Sequence, residues 1–460
     1  MRMKSARQNR QHNSHTRAVR SSPVWWLDPR VAIMFLGIFF LIGAYLMPRT
    51  SYLTLYRSEK HIDLHVVAIG LIVYLAFVIG ASLLKGGGQR PQERDVLGYC
   101  RMFVWPLFAL TLFGYITWFG NAVVNAGGLE PLITSLRTVL AQPESGEGAY
   151  VKLVLFQNLS GITTCTQFGI LYATVEALLW VRRASPRNPA LLRMTIVVAF
   201  IVPRAILLSE RIALLEFVIP VAVVFLDALW SRRSYRGFVR LAPMYFGVGV
   251  LALFAIAEYF RSWTYYKSVY AGNYLQFAVD RFFGYYFTSI NNAAVLYYYE
   301  PLQPLRYSLN DLLTFPLLGA TAQKWYTAIF GGAYIDIYIL LDAYANYEFN
   351  TIATFGLLIN EYSVFFAPVA AFFLGIISSA LHRGFAQGRL VGTLLYPSWF
   401  VGLLEISRYY IWADQRYFPV LGFLAISLFL YRYARVPKRG RPRTGYLREA
   451  RDSVRRQPVA

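Results

Sequence analysis

Residues 64–84 read LHVVAIGLIVYLAFVIGASLL, a run of 21 residues without a single Asp, Glu, Lys or Arg. A helix needs about 17–25 predominantly apolar residues to cross a bilayer, so this run is long enough to span one. The sequence therefore predicts an all-α, polytopic membrane bundle of about ten transmembrane helices. We place the other nine spans at 31–47, 102–124, 159–181, 191–208, 212–230, 241–258, 354–381, 391–407 and 417–434.

The composition of the whole chain agrees with this class. Of its 460 residues, 57% are hydrophobic and 15% are charged, whereas an average soluble protein has about 25% charged residues. So few charges cannot cover the surface of two or three soluble domains, and so apolar a chain is not intrinsically disordered.

The distribution of Lys and Arg predicts the orientation. With the N-terminus in the cytoplasm, 31 of the 45 fall in inner segments and 14 in outer ones. This asymmetry satisfies the positive-inside rule and places both termini in the cytoplasm. We divide the chain into a basic tail (1–30), a transmembrane domain (31–434) and a second basic tail (435–460). The tails are expected to be disordered and to touch anionic lipid headgroups, and nucleic acid is not expected as a partner despite the net charge of +21.

The largest outer segment covers residues 259–353. Its apolar pieces, 309–320 and 325–341, are too short to span, and the second is broken by Gly331-Gly332. Such pieces lie in the membrane interface or re-enter the membrane under protein cover. We therefore predict a partly helical outer cap over 259–353.

Arginines at predicted outer positions are the most informative polar residues. A charged side chain at membrane depth costs about 2.5–3.5 kcal/mol on insertion scales, so its presence needs a reason. One reason is recognition of a lipid-linked phosphate, because a guanidinium binds two phosphate oxygens at once. The alternative is a structural pair with a nearby acid: Arg211 with Glu210 or Glu216, Arg408 with Glu405, Arg416 with Asp414.

Two further groups have both a functional and a structural interpretation. Glu361 lies inside an apolar run, where it would serve as a general base or as a hydrogen-bonded kink. The tyrosines 265–266, 285–286 and 297–299 would stack on sugar rings or, more commonly for such residues, form an interfacial aromatic belt.

Three stretches resemble the Wzy-type polymerases that join O-antigen or oligosaccharide repeat units at bacterial inner membranes. Residues 207–215, LLSERIALL, are similar to the family's Ser-x-Arg-x-x-Leu-Leu element between two spans. Residues 281–293, RFFGYYFTSINNA, lie in the large outer loop, where the family has an Arg/Tyr/Asn-rich stretch. Residues 350–368, NTIATFGLLINEYSVFFAP, resemble the element that re-enters the membrane after that loop, although the glycine usual after the acid is missing behind Glu361.

The resemblance implies that lipid-linked repeat units are joined on the outer face of the bacterial cytoplasmic membrane. A sugar hydroxyl attacks the anomeric carbon of a chain carried on undecaprenyl pyrophosphate, without metal or cofactor. The partners implied are that lipid-linked oligosaccharide, membrane lipids, and the chain-length regulator and flippase of the same pathway. The site implied consists of catalytic Arg211, Arg281 and Glu361 and of substrate-binding Arg204, Arg408, Arg416, Tyr285, Asn291 and Asn360.

Three other functions stay open. O-antigen ligases typically use a histidine in the large outer loop, and residues 259–353 contain none. Glycosyltransferases that use polyprenyl-phosphate sugars usually have acids in the first outer loop, where Glu59 and Asp63 lie. A flippase or other transporter, the non-enzyme alternative, is expected to show an internal repeat, and none is visible.

Overall fold

The structure is a computed structural model that describes residues 24–84, 93–141, 150–159, 161–184, 187–207, 210–263, 266–313, 319–331, 337–414 and 416–435. Most of the two predicted tails, namely 1–23 and 436–460, therefore lies outside the described residues. Within the described residues the chain is helical and contains no strand. Residues up to Val420 form one compact unit, and the rest of the last helix belongs to a second unit that begins at Leu421.

Sixteen main helices follow one another along the described parts of the chain. They are α1 (Pro29–Leu46), α2 (Arg49–Leu55), α3 (Leu64–Leu83), α4 (Glu93–Asn125), α5 (Leu129–Ala141), α6 (Phe168–Val181), α7 (Arg187–Leu207), α8 (Arg211–Trp230), α9 (Arg236–Glu258), α10 (Tyr274–Tyr299), α11 (Arg306–Leu313), α12 (Gly319–Phe330), α13 (Ile337–Tyr344), α14 (Thr354–Ala386), α15 (Leu390–Leu404) and α16 (Phe418–Arg435).

Seven of these helices, among the described residues, are long and apolar enough to cross a membrane: α1, α3, α4, α7, α8, α9 and α14. They coincide with seven of the ten predicted spans, so the described part of the chain is all-helical and contains several helices that are able to cross a membrane. Helices α15 and α16 are apolar but shorter. The predicted span 159–181 is only partly regular, since α6 begins at Phe168 after a short 3₁₀ turn at Thr163–Gln167.

The short helices α6 and α15 lie inside the protein. Every residue from Gly169 to Leu179 in α6 and from Gly392 to Leu403 in α15 is buried. Helix α6 packs against α4, α8 and α15. Because both helices are covered by neighbouring helices, the length rule for lipid-facing segments does not apply to them.

Helices α3 and α14 make the most extensive contact between two helices in the molecule. Two glycines allow this approach: a Cβ on Gly80 would overlap the carbonyl oxygen of Phe372, and one on Gly375 would overlap that of Phe77. Small residues at a helix crossing let two backbones come close, which favours van der Waals packing in a membrane. Helix α3 begins at Leu64 because the carboxylate of Asp63 accepts the N–H of Val66 at 2.9 Å.

The predicted outer cap contains more regular structure than its sequence suggested. Helix α10 runs for 26 residues and packs along α1, where the rings of Phe40 and Tyr286 stack at 4.3 Å. It also lies against α14, with Ala293 directly over Gly356. Helices α11, α12 and α13 are short and follow it, so the cap is partly helical as predicted.

Hydrogen bonds connect the ends of several helices at one end of the bundle. The N–H of Thr354, where α14 begins, donates to Ile406 just after α15 (3.1 Å), and the N–H of Ala353 donates to Ser289 of α10 (3.0 Å). The amide of Asn291 joins the same helix to the segment before α3. We call this end of the bundle, where α1, α7, α9 and α15 finish and α3, α8 and α14 start, the site end.

Candidate functional site

Arg204 stands at the site end of α7, directly after Pro203, and is almost fully buried. Its Nε and Nη2 both donate to one carboxylate oxygen of Glu210, at 2.8 and 2.6 Å. Its Nη1 donates to the hydroxyl of Thr166 at 3.1 Å, and the guanidinium lies 4.8 Å from the ring centre of Trp118. The guanidinium of Arg204 is therefore in contact with a carboxylate, a hydroxyl and an aromatic ring of the protein.

Arg416 shares the same carboxylate. It forms ion pairs with Glu210 at 3.5 Å, with Glu216 at 3.6 Å and with Asp414 at 3.8 Å, and its side chain is 25% exposed. We call these four residues, together with Arg204, the shared-charge network: two arginines and three acids. Burial alone would raise the pKa of Glu210, but the charges of Arg204 and then Arg416 hold that pKa below its ordinary value.

The predicted catalytic residue Arg211 begins α8, next in sequence to Glu210. Its side chain lies outside the described residues, so its predicted role stays a prediction. The acids that the sequence offered to it, Glu210 and Glu216, are engaged by Arg204 and Arg416.

Arg281 lies in α10 at the centre of a second group of charges. Its Nε donates to Glu258 at 3.0 Å, and its Nη2 donates to Glu348. Tyr266 donates its phenol hydroxyl to the same Glu348 at 2.7 Å, and its ring lies 4.9 Å from the guanidinium. With only 4% of its side chain exposed, Arg281 is enclosed by two carboxylates and aromatic rings.

A cavity of about 50 Å³ opens beside Arg281. Arg57, Asp280, Tyr270 and Phe349 are among its lining residues. This volume has room for a few water molecules.

Arg408 lies between the two groups. It pairs with Glu405 at 2.8 Å, as the sequence suggested, and its guanidinium lies 5.4 Å from the ring centre of Tyr285. Its side chain is 26% exposed. Tyr285, a predicted substrate-binding residue, is buried with its ring edge-on to Phe349 at 5.1 Å.

Glu361 occupies a break in α14. The backbone of Ser363 has φ 66° and ψ 166°, which interrupts the helix two residues after the acid. One oxygen of the buried Glu361 carboxylate accepts the N–H of Ser308 at 2.5 Å, and the other accepts the hydroxyl of Ser308 at 2.9 Å. Within the described part of the chain no arginine or lysine pairs with this carboxylate, which sets it apart from the acids of the two charge groups.

The two predicted asparagines bind backbone groups. The side-chain amide of Asn360 donates to the carbonyl of Pro301 at 3.3 Å, and the backbone carbonyl of Asn360 accepts the N–H of Gln303 at 3.0 Å. Asn291 is completely enclosed, donating to the carbonyl of Glu59 at 2.7 Å and accepting the N–H of His61 at 2.7 Å. In this conformation both hold loops in place, and their predicted contacts with substrate stay predictions.

The acids that favoured a polyprenyl-phosphate-sugar transferase have structural partners. Glu59 is exposed and pairs with Arg49 at 3.0 Å. Asp63 caps α3 and accepts the hydroxyl of Tyr298 at 2.7 Å. Neither is placed with the arginines of the two charge groups, although this does not test the transferase itself.

Sequence reasoning missed the acids that surround Arg281 and the serine that holds Glu361. Glu258 ends a predicted span and Glu348 lies ninety residues later, so no local spacing links them to Arg281. Ser308 is one of many hydroxyl residues in an outer loop. The available signal was the presence of Glu258 and Glu348 at outer positions, since buried charges need partners.

No family model matches this chain, and no curated protein or solved structure is similar to it. Among the residues described, no group of three or more His, Cys, Asp or Glu side chains is arranged to hold a metal ion.

Proposed function

We propose that this protein is a glycosyltransferase of the bacterial cytoplasmic membrane. It polymerises undecaprenyl-pyrophosphate-linked oligosaccharide repeat units, for an O-antigen, a capsule or an exopolysaccharide. The support comes from the site end of the bundle together with the resemblance of residues 207–215, 281–293 and 350–368 to such polymerases. The chain-length regulator and flippase of the pathway are the partners that this function implies.

One observation carries the proposal: two arginines of the segment between α15 and α16, Arg408 and Arg416, are incompletely used by protein groups. Arg408 Nε and Arg416 Nη1 have no hydrogen-bond partner among the described residues. Tyr410, two residues after Arg408, interacts electrostatically with Glu361. The segment between α15 and α16 therefore offers guanidinium donors for a phosphate, and Glu361 of α14 offers a carboxylate for a hydroxyl proton.

The chemistry follows from these positions. The hydroxyl of the acceptor sugar attacks the anomeric carbon, forming the new glycosidic bond as the bond from that carbon to the pyrophosphate oxygen breaks. Glu361 takes the hydroxyl proton, and the pyrophosphate leaves with its lipid. Arginine donors stabilise the charge that develops on the leaving oxygens, which is the main requirement for so good a leaving group.

The arginines divide into two kinds under this mechanism. Arg204 and Arg281 have their donors committed to carboxylates and position the loops around the site. Arg408 and Arg416 are about a quarter exposed, and each has one nitrogen without a hydrogen-bond partner among the described residues, so they can turn to phosphate oxygens. Arg211 would join them if its side chain faces the same space.

The topology that goes with this function has ten spans, both termini in the cytoplasm, and 259–353 outside. Single cysteines test it in a background in which Cys100 and Cys165 are replaced. A membrane-impermeant maleimide should label Lys324→Cys in intact cells and should label Ser234→Cys only after lysis. Labelling of Ser234→Cys in intact cells would overturn the orientation.

The glycan profile of a host strain that lacks the gene tests the function. A missing polymerase leaves single repeat units on the surface glycan, and the wild-type gene restores the ladder. Absence of all repeat units outside the cell would indicate a transporter, and a changed composition of each unit would indicate another transferase. Either result would contradict the proposal.

A further inference from the structure

Six aromatic and imidazole rings form one patch at the site end. They come from three segments of the chain: the start of α3, the end of α10 and the end of α13. We call the patch the ring platform, and its members are His61, His65, Tyr297, Tyr298, Tyr299 and Tyr344.

The rings hold one another in fixed positions. Tyr299 and Tyr344 stack in parallel with 4.0 Å between centroids and 9° between planes. The ring of His61 stands edge-on to Tyr299 at 5.6 Å, and its Nε2 lies 2.9 Å from the carbonyl oxygen of Tyr344. Contacts between segments far apart in sequence therefore fix the orientation of these rings.

The platform is nevertheless open to its surroundings. Tyr298 and Tyr299 are each 44% exposed and Tyr344 is 41% exposed. Polar groups accompany the rings: Tyr298 donates to Asp63 at 2.7 Å, and His65 Nε2 lies 2.9 Å from the hydroxyl of Tyr297. Exposed ring faces with a carboxylate and hydroxyls at their edges match a sugar, which presents C–H groups on its faces and hydroxyls around its rim.

The platform lies close to Glu361 along the chain. Tyr299 is the last residue of α10, and two residues later the carbonyl of Pro301 accepts the amide of Asn360, the neighbour of Glu361. Two residues of extended chain reach at most about 7 Å, so the end of α10 lies near Asn360.

We propose that the ring platform binds the sugar units of the acceptor oligosaccharide and holds its reactive hydroxyl toward Glu361. The identity of the ligand rests on the proposed function, whereas the binding itself does not require turnover. An interfacial lipid belt is the competing explanation of exposed tyrosines. The clustering of rings from three segments around Asp63 favours sugar, because a belt needs neither mutual stacking nor a carboxylate.

Binding to the full-length protein in nanodiscs of phosphatidylethanolamine and phosphatidylglycerol tests the platform. The probe is the mixture of oligosaccharide fragments that mild acid releases from the host strain's own surface polysaccharide. Replacing both Tyr298 and Tyr299 by Ala should weaken binding about tenfold or more, since two ring contacts are lost. Tyr298→Phe should have a smaller effect, and Tyr245→Ala, an exposed tyrosine on α9, should have none.

Three outcomes would overturn the platform: no binding to the wild type, equal binding by the double variant, or a loss that Tyr245→Ala shares. A double variant whose stability changes with lipid composition while its affinity stays constant would identify a lipid belt. Glu361→Gln should keep fragment binding, which separates the two proposals. If the deletion strain disproves the polymerase while the double variant still loses binding, the platform stands as a glycan site of another function.

Discussion

Helix α7 carries two buried arginines that have the same chemistry and different surroundings. Arg193 and Arg204 lie eleven residues apart, about 16 Å along the helix, and each guanidinium lies 4.8 Å from a tryptophan ring centre. Arg193 binds both oxygens of Glu176, at 3.0 and 2.7 Å. Arg204 instead shares Glu210 with Arg416, which reaches two further acids.

This difference indicates that Arg193 and Glu176 form a structural ion pair, whereas the ion pairs of the shared-charge network can exchange partners. Arg193 and Glu176 form a buried, bidentate ion pair, and each satisfies the charge of the other. A ligand is therefore not expected to displace either of them. In the shared-charge network, three carboxylates compete for two guanidiniums, and Arg416 is held only at 3.5 to 3.8 Å. Arg416 is therefore held less tightly by its acids than Arg204 is by Glu210.

The largest predicted effect is on stability and concerns the pair of Arg193 with Glu176. Arg193→Ala leaves the Glu176 carboxylate buried without its partner and should lower the free energy of unfolding by about 3–5 kcal/mol. Thermal unfolding of the purified protein in detergent measures this. Arg193→Met combined with Glu176→Leu should recover most of the loss, because removing both charges removes the unpaired ion. A double variant as unstable as Arg193→Ala would show that packing, rather than the charge, is the cause.

A smaller effect is expected on activity and concerns the shared-charge network. Arg416→Lys keeps the charge but cannot bind two phosphate oxygens with a planar fork, so chain extension should fall about tenfold or more at unchanged protein level. Arg193→Lys is the matched control: it should lower stability while the folded fraction keeps its activity. The ladder length of surface glycan and the protein abundance in membranes report both. Full-length polymer from Arg416→Lys would assign this arginine to structure alone.

The smallest predicted effect concerns Glu300, in the segment beside the platform. Burial raises the pKa of this carboxyl from about 4.5 to about 7, although Arg306 lowers it in part. Between these two pH values the folded protein holds a proton that the unfolded chain releases, so stability falls as the pH rises through this window. Glu300→Gln should flatten that dependence in thermal unfolding measured from pH 4.5 to 8. An identical slope in the variant would contradict the shifted pKa.

Much of the fold could be predicted from the sequence because long apolar runs have one stable outcome in a bilayer. Helices α3, α8 and α9 lie where hydropathy placed them. The start of α6 could not be placed in that way: the predicted span begins at 159 and the helix at Phe168, because a helix covered by protein rather than lipid need not span the full thickness. Hydropathy also does not reveal α10, whose apolar residues alternate with Asn, Thr, Ser and Arg that bind neighbouring segments.

The sequence predicted which types of residue lie at the site end of the bundle. Beyond neighbouring residues, it did not predict which arginine pairs with which acid. Arg408 with Glu405 is a local pair that three-residue spacing suggests. Arg281 with Glu348 joins residues 67 positions apart, and the sequence gives no register for such contacts. A kink at Glu361 was one of the two interpretations of that acid, but its place at Ser363 could not be predicted, because a serine with positive φ has no distinctive pattern around it.

The rate at which the purified protein in nanodiscs joins lipid-linked repeat units tests the central claim most directly, with Glu361→Gln as the variant. Glutamine keeps an acceptor for Ser308 and so preserves the fold, but it cannot take a proton. The account predicts a rate at least about 10²-fold below that of the wild type, with unchanged thermal unfolding and unchanged binding of oligosaccharide fragments. Polymerisation by Glu361→Gln at the wild-type rate would contradict it.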